Sequence, residues 1–427
     1  MKRYLITAAI VFLTFICQPG FSQDSTSNLL VNTSHLDLLY EEISIDSTIM
    51  GIIHIYSDYP EYKWTGDNDE GIACVDDASR AAVFYIRNYQ YKKDSLSLLK
   101  AERLIEFLLF MQSDNGYFYN FIFANHTINK THKNSINQPG WWSWRAMWAL
   151  SESYNIINKV NPLLGKKILL SLNKSLINVK QIFSLKGEIN KNNGIELPSW
   201  LPDETASDQA GVLILSLVNY FRMTNDSTVF NVLNNLCDGI LLMQKGTPSK
   251  VPYYAFLSWQ NIWHAYGNIQ SYAFLKASII LQRDDLKNAA LNEIKYFYDY
   301  QLKQNFLSSF KLESDIDSFR FSDTNKFPQI AYNFRPMIFA AIEAFKLTGD
   351  STYLSKAIKI GAWFMGNNVS CSQMYDPLSG ICFDGINSAT DVNLNSGAES
   401  TIEALLSMEI LEQYGVNGDN LLHSISE

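Results

Sequence analysis

The sequence predicts an all-α fold, a single (α/α)6 barrel over residues 23–427, and a repeat is the main reason. Six similar segments recur, with starts separated by 66, 65, 58, 66 and 66 positions. Each opens with polar or aromatic residues and continues as an apolar helix containing Ala, Gly or Ser, so it can pack closely on both sides. The segments begin at Asp76, Trp142, Ser207, Ala265, Ala331 and Gly397.

A second kind of helix alternates with these segments. Stretches such as SLSLLKAERLIEFLLFMQ carry one apolar stripe and a polar face, which is typical of an outer layer. The motifs TNDST and LTGDST place Ser or Asp where an N-cap belongs. Residues 163–182 give a further outer helix, and residues near 35–47 are the candidate for the sixth. Because no linker divides the chain, the pairs predict one closed ring with all inner helix starts at one end.

The first residues, MKRYLITAAIVFLTFICQPGFSQ, predict a signal peptide over residues 1–22 that is cleaved. Lys2 and Arg3 precede a short apolar run, and Gly20 and Ser22 suit a signal-peptidase site. An uncleaved anchor is the alternative, although the run is short for a membrane-spanning helix. The sequence thus predicts a secreted or periplasmic protein without stable membrane insertion, and it leaves the oligomeric state open.

The composition excludes some functions and favours others. A formal net charge of −9 argues against nucleic acid as a partner. Aromatic residues make up 13% of the chain, with 23 Tyr and 9 Trp, and such residues outside a core stack on ring-shaped ligands such as sugars. No CxxC motif or cluster of His and Cys predicts a zinc site, and no metal or cofactor is expected.

Four cysteines remain after the predicted signal, too few for a disulfide framework in a chain of this length. They are Cys74, Cys237, Cys371 and Cys382. Buried free thiols are the favoured interpretation. The alternative is a small loop closed by Cys371 and Cys382 in an oxidising compartment.

An acidic cluster precedes the first inner helix, in the stretch DNDEGIACVDDASRAAVFY. Crowded carboxylates repel one another and resist burial, so a fold tolerates them only for a reason. Asp76 and Asp77 are expected at the rim of the barrel, where a ligand could bind. The alternative is that Asp76 caps the helix and that Arg80 pairs with one aspartate. The other acidic residues of this stretch are assigned mainly to a solvated loop: Asp67, Asp69 and Glu70.

Glu399 stands at the start of the last inner helix, which closure of the ring places beside the first. Glycoside hydrolysis needs one protonated and one ionised carboxyl group, about 6.5–9.5 Å apart in an inverting enzyme. Asp76, Asp77 and Glu399 are therefore the candidate catalytic residues. The alternative for Glu399 is a capping box with Ser396, in which it only satisfies a backbone N–H group.

The remaining inner helix starts supply candidate substrate-binding residues. Aromatic rings can stack on sugars, arginine can bind an acidic group, and carboxylates and amides can bind hydroxyl groups. His264 and Tyr266 also suit the proton abstraction and return of a polysaccharide lyase. Structural roles stay open for several of these residues, such as a first-turn position for Asp208 and a salt bridge for Arg145. The candidates are Trp141, Trp142, Arg145, Asp208, Trp263, His264, Tyr266, Tyr332, Asn333, Arg335 and Asn395.

Three motifs resemble the six-hairpin glycosidase superfamily: GIACVDDASRA, WRAMWAL and WFMGNNVSCSQMYDPLSGICFDGINSATDVNLNSGAEST. The likeness is closest to a bacterial group of glycosidase-like proteins with little biochemical definition. In the family 9 cellulases of the superfamily, the base is an aspartate before an early inner helix and the acid is a glutamate that starts the last. These positions correspond to Asp76 or Asp77 and to Glu399. The surrounding cellulase sequence is missing, so cellulose specificity is not implied.

The resemblance implies a glycoside hydrolase that acts on an oligo- or polysaccharide by a two-carboxylate, inverting mechanism. The same barrel is found in sugar epimerases, unsaturated-uronyl hydrolases and polysaccharide lyases, so the fold does not fix the reaction. One alternative is a lyase or epimerase that uses His264 and Tyr266. Another is a glycan-binding protein without catalytic activity.

Overall fold

The computed structural model describes residues 29–192, 194–316 and 318–423. The predicted signal peptide lies outside these ranges. Most of the described chain is helical, as the sequence predicts. The helices are α1 (Ser34–Leu39), α2 (Val75–Lys92), α3 (Ser95–Phe110), α4 (Trp141–Val160), α5 (Pro162–Phe183), α6 (Ser207–Thr224), α7 (Ser227–Met243), α8 (Gln270–Leu281), α9 (Asp284–Asn292), α10 (Tyr298–Lys303), α11 (Arg335–Thr348), α12 (Ser351–Gly361), α13 (Ala398–Gln413) and α14 (Gly418–His423).

Six of these helices contact one another in a cyclic order. α2 packs on α4, α4 on α6, α6 on α8, α8 on α11, α11 on α13, and α13 returns to α2. They coincide with the six repeated segments of the sequence. The helices that follow five of them, α3, α5, α7, α9 and α12, pack against the preceding inner helix. The alternation of inner and outer helices is therefore confirmed for five pairs.

The two kinds of helix differ in burial and in how they begin. The inner helix α2 is buried along most of its length, and Ala78, Ala81 and Ala82 let its neighbours approach closely. The outer helices α3, α7 and α12 begin at aspartate N-caps. Asp94, Asp226 and Asp350 accept hydrogen bonds from backbone N–H groups of the first turn. The N-caps expected in TNDST and LTGDST are thus confirmed.

The sixth outer helix is only partly present. Ser34–Leu39 forms the short helix α1, which contacts α13, but the chain then enters a β-hairpin instead of continuing as a helix. Asp46 and Ser47 have positive φ angles and form its turn. Residues 40–45 and 48–53 pair as the two antiparallel strands of this hairpin.

The loops at the starts of the inner helices contain six small antiparallel sheets, which the prediction of an all-α class missed. Five have two strands and one has three. Short pairs of this kind take little sequence, so they leave a weak pattern. The strands are β1 (Tyr40–Ile45), β2 (Thr48–Ile53), β3 (Tyr56–Asp58), β4 (Lys63–Thr65), β5 (Ala73–Cys74), β6 (Phe121–Ile122), β7 (Ile189–Asn192), β8 (Ile195–Pro198), β9 (Ile262–His264), β10 (Ser309–Asp315), β11 (Ser318–Asn325), β12 (Gly385–Ser388) and β13 (Asp391–Asn393).

Two further sequence expectations concern thiols and membranes. Cys74, Cys237 and Cys382 are buried free thiols, so the loop between Cys371 and Cys382 is not closed. Among the described helices, none combines the length and the apolar character needed to cross a membrane.

Candidate active site

A cleft opens at the N-terminal ends of the inner helices. Its first chamber has a volume of about 440 Å³ and lies between the starts of α2, α4 and α13. A second chamber of about 500 Å³ lies beside the start of α6 and strand β9. Trp141 and Tyr266 line both chambers, so they mark where the two meet. The predicted site residues that line the cleft are Asp76, Asp77, Trp141, Trp142, Arg145, Asp208, His264, Tyr266, Tyr332 and Glu399.

Asp77 and Glu399 contact the same guanidinium group. Arg80 donates from Nη2 to Asp77 Oδ1 at 2.5 Å and from Nη1 to Glu399 Oε2 at 3.0 Å. Because a guanidinium is small and planar, these two carboxylate oxygens are at most about 8 Å apart. Glu399 therefore turns toward α2, and the side chain of Ser396 does not cap the last inner helix. The expected pairing of Arg80 with an aspartate is also present.

The two carboxyl groups differ in their surroundings. Burial raises the pKa of Asp77 to about 6; Arg80 opposes this shift, whereas Asp76 and Glu399 add to it. The buried thiol of Cys74, whose pKa is raised by burial, donates to Asp77 Oδ2 at 3.1 Å. The side chain of Asp77 is 5% exposed and that of Glu399 is 44% exposed. The pair thus combines a buried carboxyl group that holds its proton to higher pH with a carboxylate open to the cleft.

Asp76 pairs with Arg145 in the first chamber. Its Oδ2 accepts from the guanidinium, and its backbone N–H donates to Asn120 Oδ1 at 3.1 Å. Its Oδ1 is buried and has no hydrogen-bond partner among the described residues. A buried oxygen of this kind is normally satisfied by a water molecule or another donor. The salt bridge expected as the structural alternative for Arg145 is therefore present, and one acceptor remains.

Three guanidinium groups surround the ring of Tyr332. The Cζ atoms of Arg80, Arg145 and Arg335 lie 5.1–5.2 Å from its centroid. Arg145 also donates to the Tyr332 hydroxyl at 2.7 Å. Glu403 is fully buried and accepts from Arg80 at 3.1 Å and from Arg335 at 2.6 Å. Each buried cation thus has a carboxylate partner, which burial of charge requires.

Two members of this network differ from the sequence expectation. Arg335, predicted to bind substrate, has a side chain that is 3% exposed and paired with Glu403, and it does not line the cleft. Glu403 was not predicted, because it lies in the second turn of α13 among residues that the pattern assigns to the core. A glutamate inside an apolar helix, one turn after Glu399, was the available signal.

His264 and Asp208 form an ion pair in the second chamber. His264 Nε2 lies 3.0 Å from Asp208 Oδ2, and its Nδ1 lies 2.8 Å from the carbonyl oxygen of Tyr266. The imidazole also stacks on the Tyr266 ring, with centroids 3.8 Å apart. Both ring nitrogens of His264 therefore face oxygen atoms.

Trp141 and Trp142 begin α4 and differ in what they offer a ligand. Trp142 is 8% exposed, and its indole N–H donates to the carbonyl oxygen of Phe118 at 2.7 Å. Trp141 is more open, and the Arg145 guanidinium lies 4.9 Å from its ring centroid. Gly267 has a φ of +69°, and a Cβ there would come within 3.0 Å of the Trp141 ring. A glycine at this position lets the loop and the indole form the wall together.

Trp263 does not line the cleft, in contrast to the prediction. It is 1% exposed, stacks on Phe310 at 5.2 Å and meets Phe297 edge to face at 5.0 Å. It occupies the middle of strand β9, whose side chains alternate between two faces. Its neighbours Ile262 and His264 line the second chamber, so Trp263 points to the core.

Two predicted amides hydrogen-bond to the protein itself. Asn333 is 4% exposed and donates to the carbonyl oxygen of Pro328 at 3.5 Å. Asn395 accepts from the backbone N–H of Tyr59 and donates to Asp58, both at 3.0 Å. Neither amide lines the cleft. Asn395 instead fastens the hairpin of β3 and β4 to the start of α13.

Two acidic residues near the cleft were not predicted as site residues. Glu70, assigned to a loop, lines the first chamber and accepts a hydrogen bond from the Tyr56 hydroxyl. Asp384 lines a small recess that it shares with Glu399, and burial raises its pKa. Asp384 also accepts the Ser400 hydroxyl at 2.6 Å. Both residues reach the site through loop folding, for which the sequence has no periodic signal.

No group of three or more His, Cys, Asp or Glu side chains within the described ranges is arranged to hold a metal ion. The acidic loop before α2 makes a turn of its own instead. Asp67 Oδ1 accepts the backbone N–H groups of Asp69 and Glu70 at 2.7 and 2.9 Å. Asp67 and Asp69 are thus loop residues, as the sequence suggested.

Comparison with known proteins places this fold. No family model and no curated protein matches the sequence. The structure is similar to a sugar epimerase from a ruminal bacterium, with a TM-score of 0.62 and 14% identity over 88% of this chain and 94% of that one. It is similar to cellobiose 2-epimerase from Bacillus thermoamylovorans B4167, with a TM-score of 0.63 and 13% identity over 89% and 95% of the two chains.

A third similar structure is a family 76 glycoside hydrolase from a bovine Bacteroides thetaiotaomicron strain. Its TM-score is 0.59 with 9% identity, over 90% of this chain and 77% of that one. These likenesses show that this chain shares its fold with sugar epimerases and with a glycoside hydrolase. Identities this low define a shared architecture and not a shared reaction.

Proposed function

We propose that this protein is a secreted or periplasmic enzyme of the closed (α/α)6 barrel type that hydrolyses a glycosidic bond in an oligo- or polysaccharide. The observation that carries the proposal is the placement of Asp77 and Glu399 on either side of Arg80, both in the cleft wall. A separation of at most about 8 Å is compatible with the gap that an inverting hydrolase needs for water. The similar structures include a sugar epimerase and a glycoside hydrolase, which supports an enzyme that acts on sugars without favouring hydrolysis.

The surroundings of the two carboxyl groups suggest their roles. Asp77, whose pKa is raised to about 6, is the proposed general acid that protonates the leaving oxygen. Glu399, whose side chain is 44% exposed and therefore accessible to water in the cleft, is the proposed base that activates water. This reverses the assignment that the cellulase resemblance implies. Asp76 and Trp141 would hold the sugar through a hydroxyl group and a ring face.

The mass and the ultraviolet absorbance of the products test the class of reaction. The wild-type protein is incubated with a panel of α- and β-linked oligosaccharides, some with uronic acid units. Hydrolysis adds one water molecule for each bond cleaved and creates reducing ends. A lyase cleaves without adding water and leaves an absorbing carbon–carbon double bond, and an epimerase leaves the mass unchanged. Cleavage with water supports the proposal, and either other product refutes it.

The His264–Asp208 pair favours a second candidate, an epimerase or lyase. The pair lies beside the exposed side chain of Tyr266, and proton abstraction from a sugar uses side chains of these types. Epimerisation also needs a second acid or base on the other face of the sugar. His264 is the only histidine among the described residues that line the two chambers, so the carboxylates would have to supply it. For this reason hydrolysis is the leading proposal.

A further inference from the structure

A second cavity lies at the opposite end of the inner helices, and we call it the far cavity. It has a volume of about 400 Å³ and is lined by side chains of α2, α4, α6, α8, α11 and α13. Pockets of this size hold molecules as large as a monosaccharide. Gln90, Tyr91 and Gln413 belong to its wall, and Tyr91 is 45% exposed, so solvent reaches it.

Two aromatic rings separate the far cavity from the cleft. Arg87, which lines the far cavity, has its Cζ 5.9 Å from the Trp148 ring centroid and 5.0 Å from that of Phe339. Arg335, which belongs to the cleft network, lies 5.8 and 5.2 Å from the same centroids. Both rings line the far cavity and neither lines the cleft. The far cavity and the cleft are therefore separated by these two rings and do not form one continuous space.

The charges in the far cavity do not balance. Arg87 is paired with Glu152 at 2.7 Å. Glu343 forms ion pairs with both Lys276 and Lys346, each at 3.1 Å. Arg222 completes the set of four cations against two carboxylates, in a protein whose net charge is −9. The side chain of Arg222 is exposed and has no ion-pair or hydrogen-bond partner among the described residues. An excess of about two positive charges is thus concentrated in one concave site.

The wall also contains an unused hydrogen-bond donor. Trp148 is 2% exposed, and its indole N–H is buried without a partner in the described part of the chain. A buried donor of this kind is costly unless something accepts from it. The cavity therefore combines excess cations with aromatic side chains, as a site for an anionic, ring-shaped molecule would.

We infer that the far cavity binds a small anion the size of a monosaccharide, such as a sugar acid or a sugar phosphate. Its charge would be held at Arg222 and Lys346, and its apolar face would lie against Trp148 and Phe339. The site is separate from the cleft, so the inference does not depend on the reaction catalysed there. A structural alternative exists, because Arg222 and Lys346 lie in the last turns of α6 and α11, where cations offset the helix carbonyl ends.

Calorimetric titration of the intact protein with D-glucuronate, glucose 6-phosphate and uncharged glucose tests the inference. The two anions should bind and glucose should not. The double variant Arg222→Gln, Lys346→Gln should weaken anion binding at least tenfold. Lys303→Gln, which removes an exposed cation from α10, should leave it unchanged. Glu399→Gln, which alters the cleft, should also leave it unchanged.

Three results would overturn the inference. The first is that neither anion binds in the millimolar range. The second is that the double variant loses stability without losing affinity, as the helix-end alternative predicts. The third is that Lys303→Gln weakens anion binding as much as the double variant does. A crystal soaked in selenate gives an independent check, because its anomalous signal should appear between Arg222 and Lys346. A signal confined to the cleft would also refute the site.

Discussion

Removing the charge of Glu403 should destabilise the protein strongly, since two buried arginines share this carboxylate. Arg80 would keep Asp77 and Glu399 as partners in Glu403→Gln. Arg335 would keep none, because Glu403 is its only ion-pair partner among the described residues. The variant would therefore contain one buried cation without a partner, which should lower the free energy of unfolding by about 3–5 kcal/mol. Urea unfolding followed by tryptophan fluorescence measures the change in the free energy of unfolding.

Glu313→Gln is the matched control. Glu313 also pairs with an arginine, Arg320, but their side chains are 42% and 64% exposed. A pair so exposed contributes about 0–1 kcal/mol. Adding Arg335→Met to Glu403→Gln should recover part of the loss, since it removes the stranded charge. If Glu403→Gln lowers the free energy of unfolding no more than Glu313→Gln does, the charged network around Tyr332 does not stabilise the fold as inferred.

Three further outcomes are expected. If Asp77 is the general acid, turnover should fall as the pH rises above about 6, because Asp77 then loses the proton that it must donate. A pH–rate profile that stays flat from pH 5 to 8 would contradict this. Burial raises the pKa of Glu409 from 4.5 to about 8. As the pH rises between these two values, the free energy of unfolding of the wild type should fall by about 1.4 kcal/mol per pH unit relative to Glu409→Gln, because only the unfolded state loses the proton. Urea unfolding at several pH values measures this difference. A difference independent of pH would show that Glu409 is not held protonated. Trp141→Ala should raise KM about three- to tenfold with a smaller change in kcat, if the indole stacks on a sugar ring; an unchanged KM would remove that role.

The helical framework was predictable because it repeats. Inner and outer helices differ in composition over many residues, and the aspartate caps at Asp226 and Asp350 are local signals. The same repeat brought Asp77 and Glu399 together across more than 300 positions, since a cyclic order makes the first and last inner helices neighbours. A pattern with a long period can therefore predict a contact between distant residues.

The details of the site depend on features without such a period. Trp263 was expected in the cleft because the sequence near it was taken as a helix start, but a three-residue strand turns it to the core. Arg335 was expected to meet a substrate, but its partner Glu403 is hidden in an apolar helix. Glu70 and Asp384 lie on loops that fold against the site. In each case the deciding contact is tertiary, and spacing along one segment carries no information about it.

The most direct test of the two-carboxylate mechanism compares single isosteric variants on one cleaved oligosaccharide. Asp77→Asn and Glu399→Gln should each lower turnover about 10²–10⁴-fold, the range for loss of a general acid or base, while calorimetry shows that the oligosaccharide still binds. His264→Gln should retain most of the turnover. Full turnover in both carboxyl variants, or its loss only in His264→Gln, would contradict hydrolysis by Asp77 and Glu399.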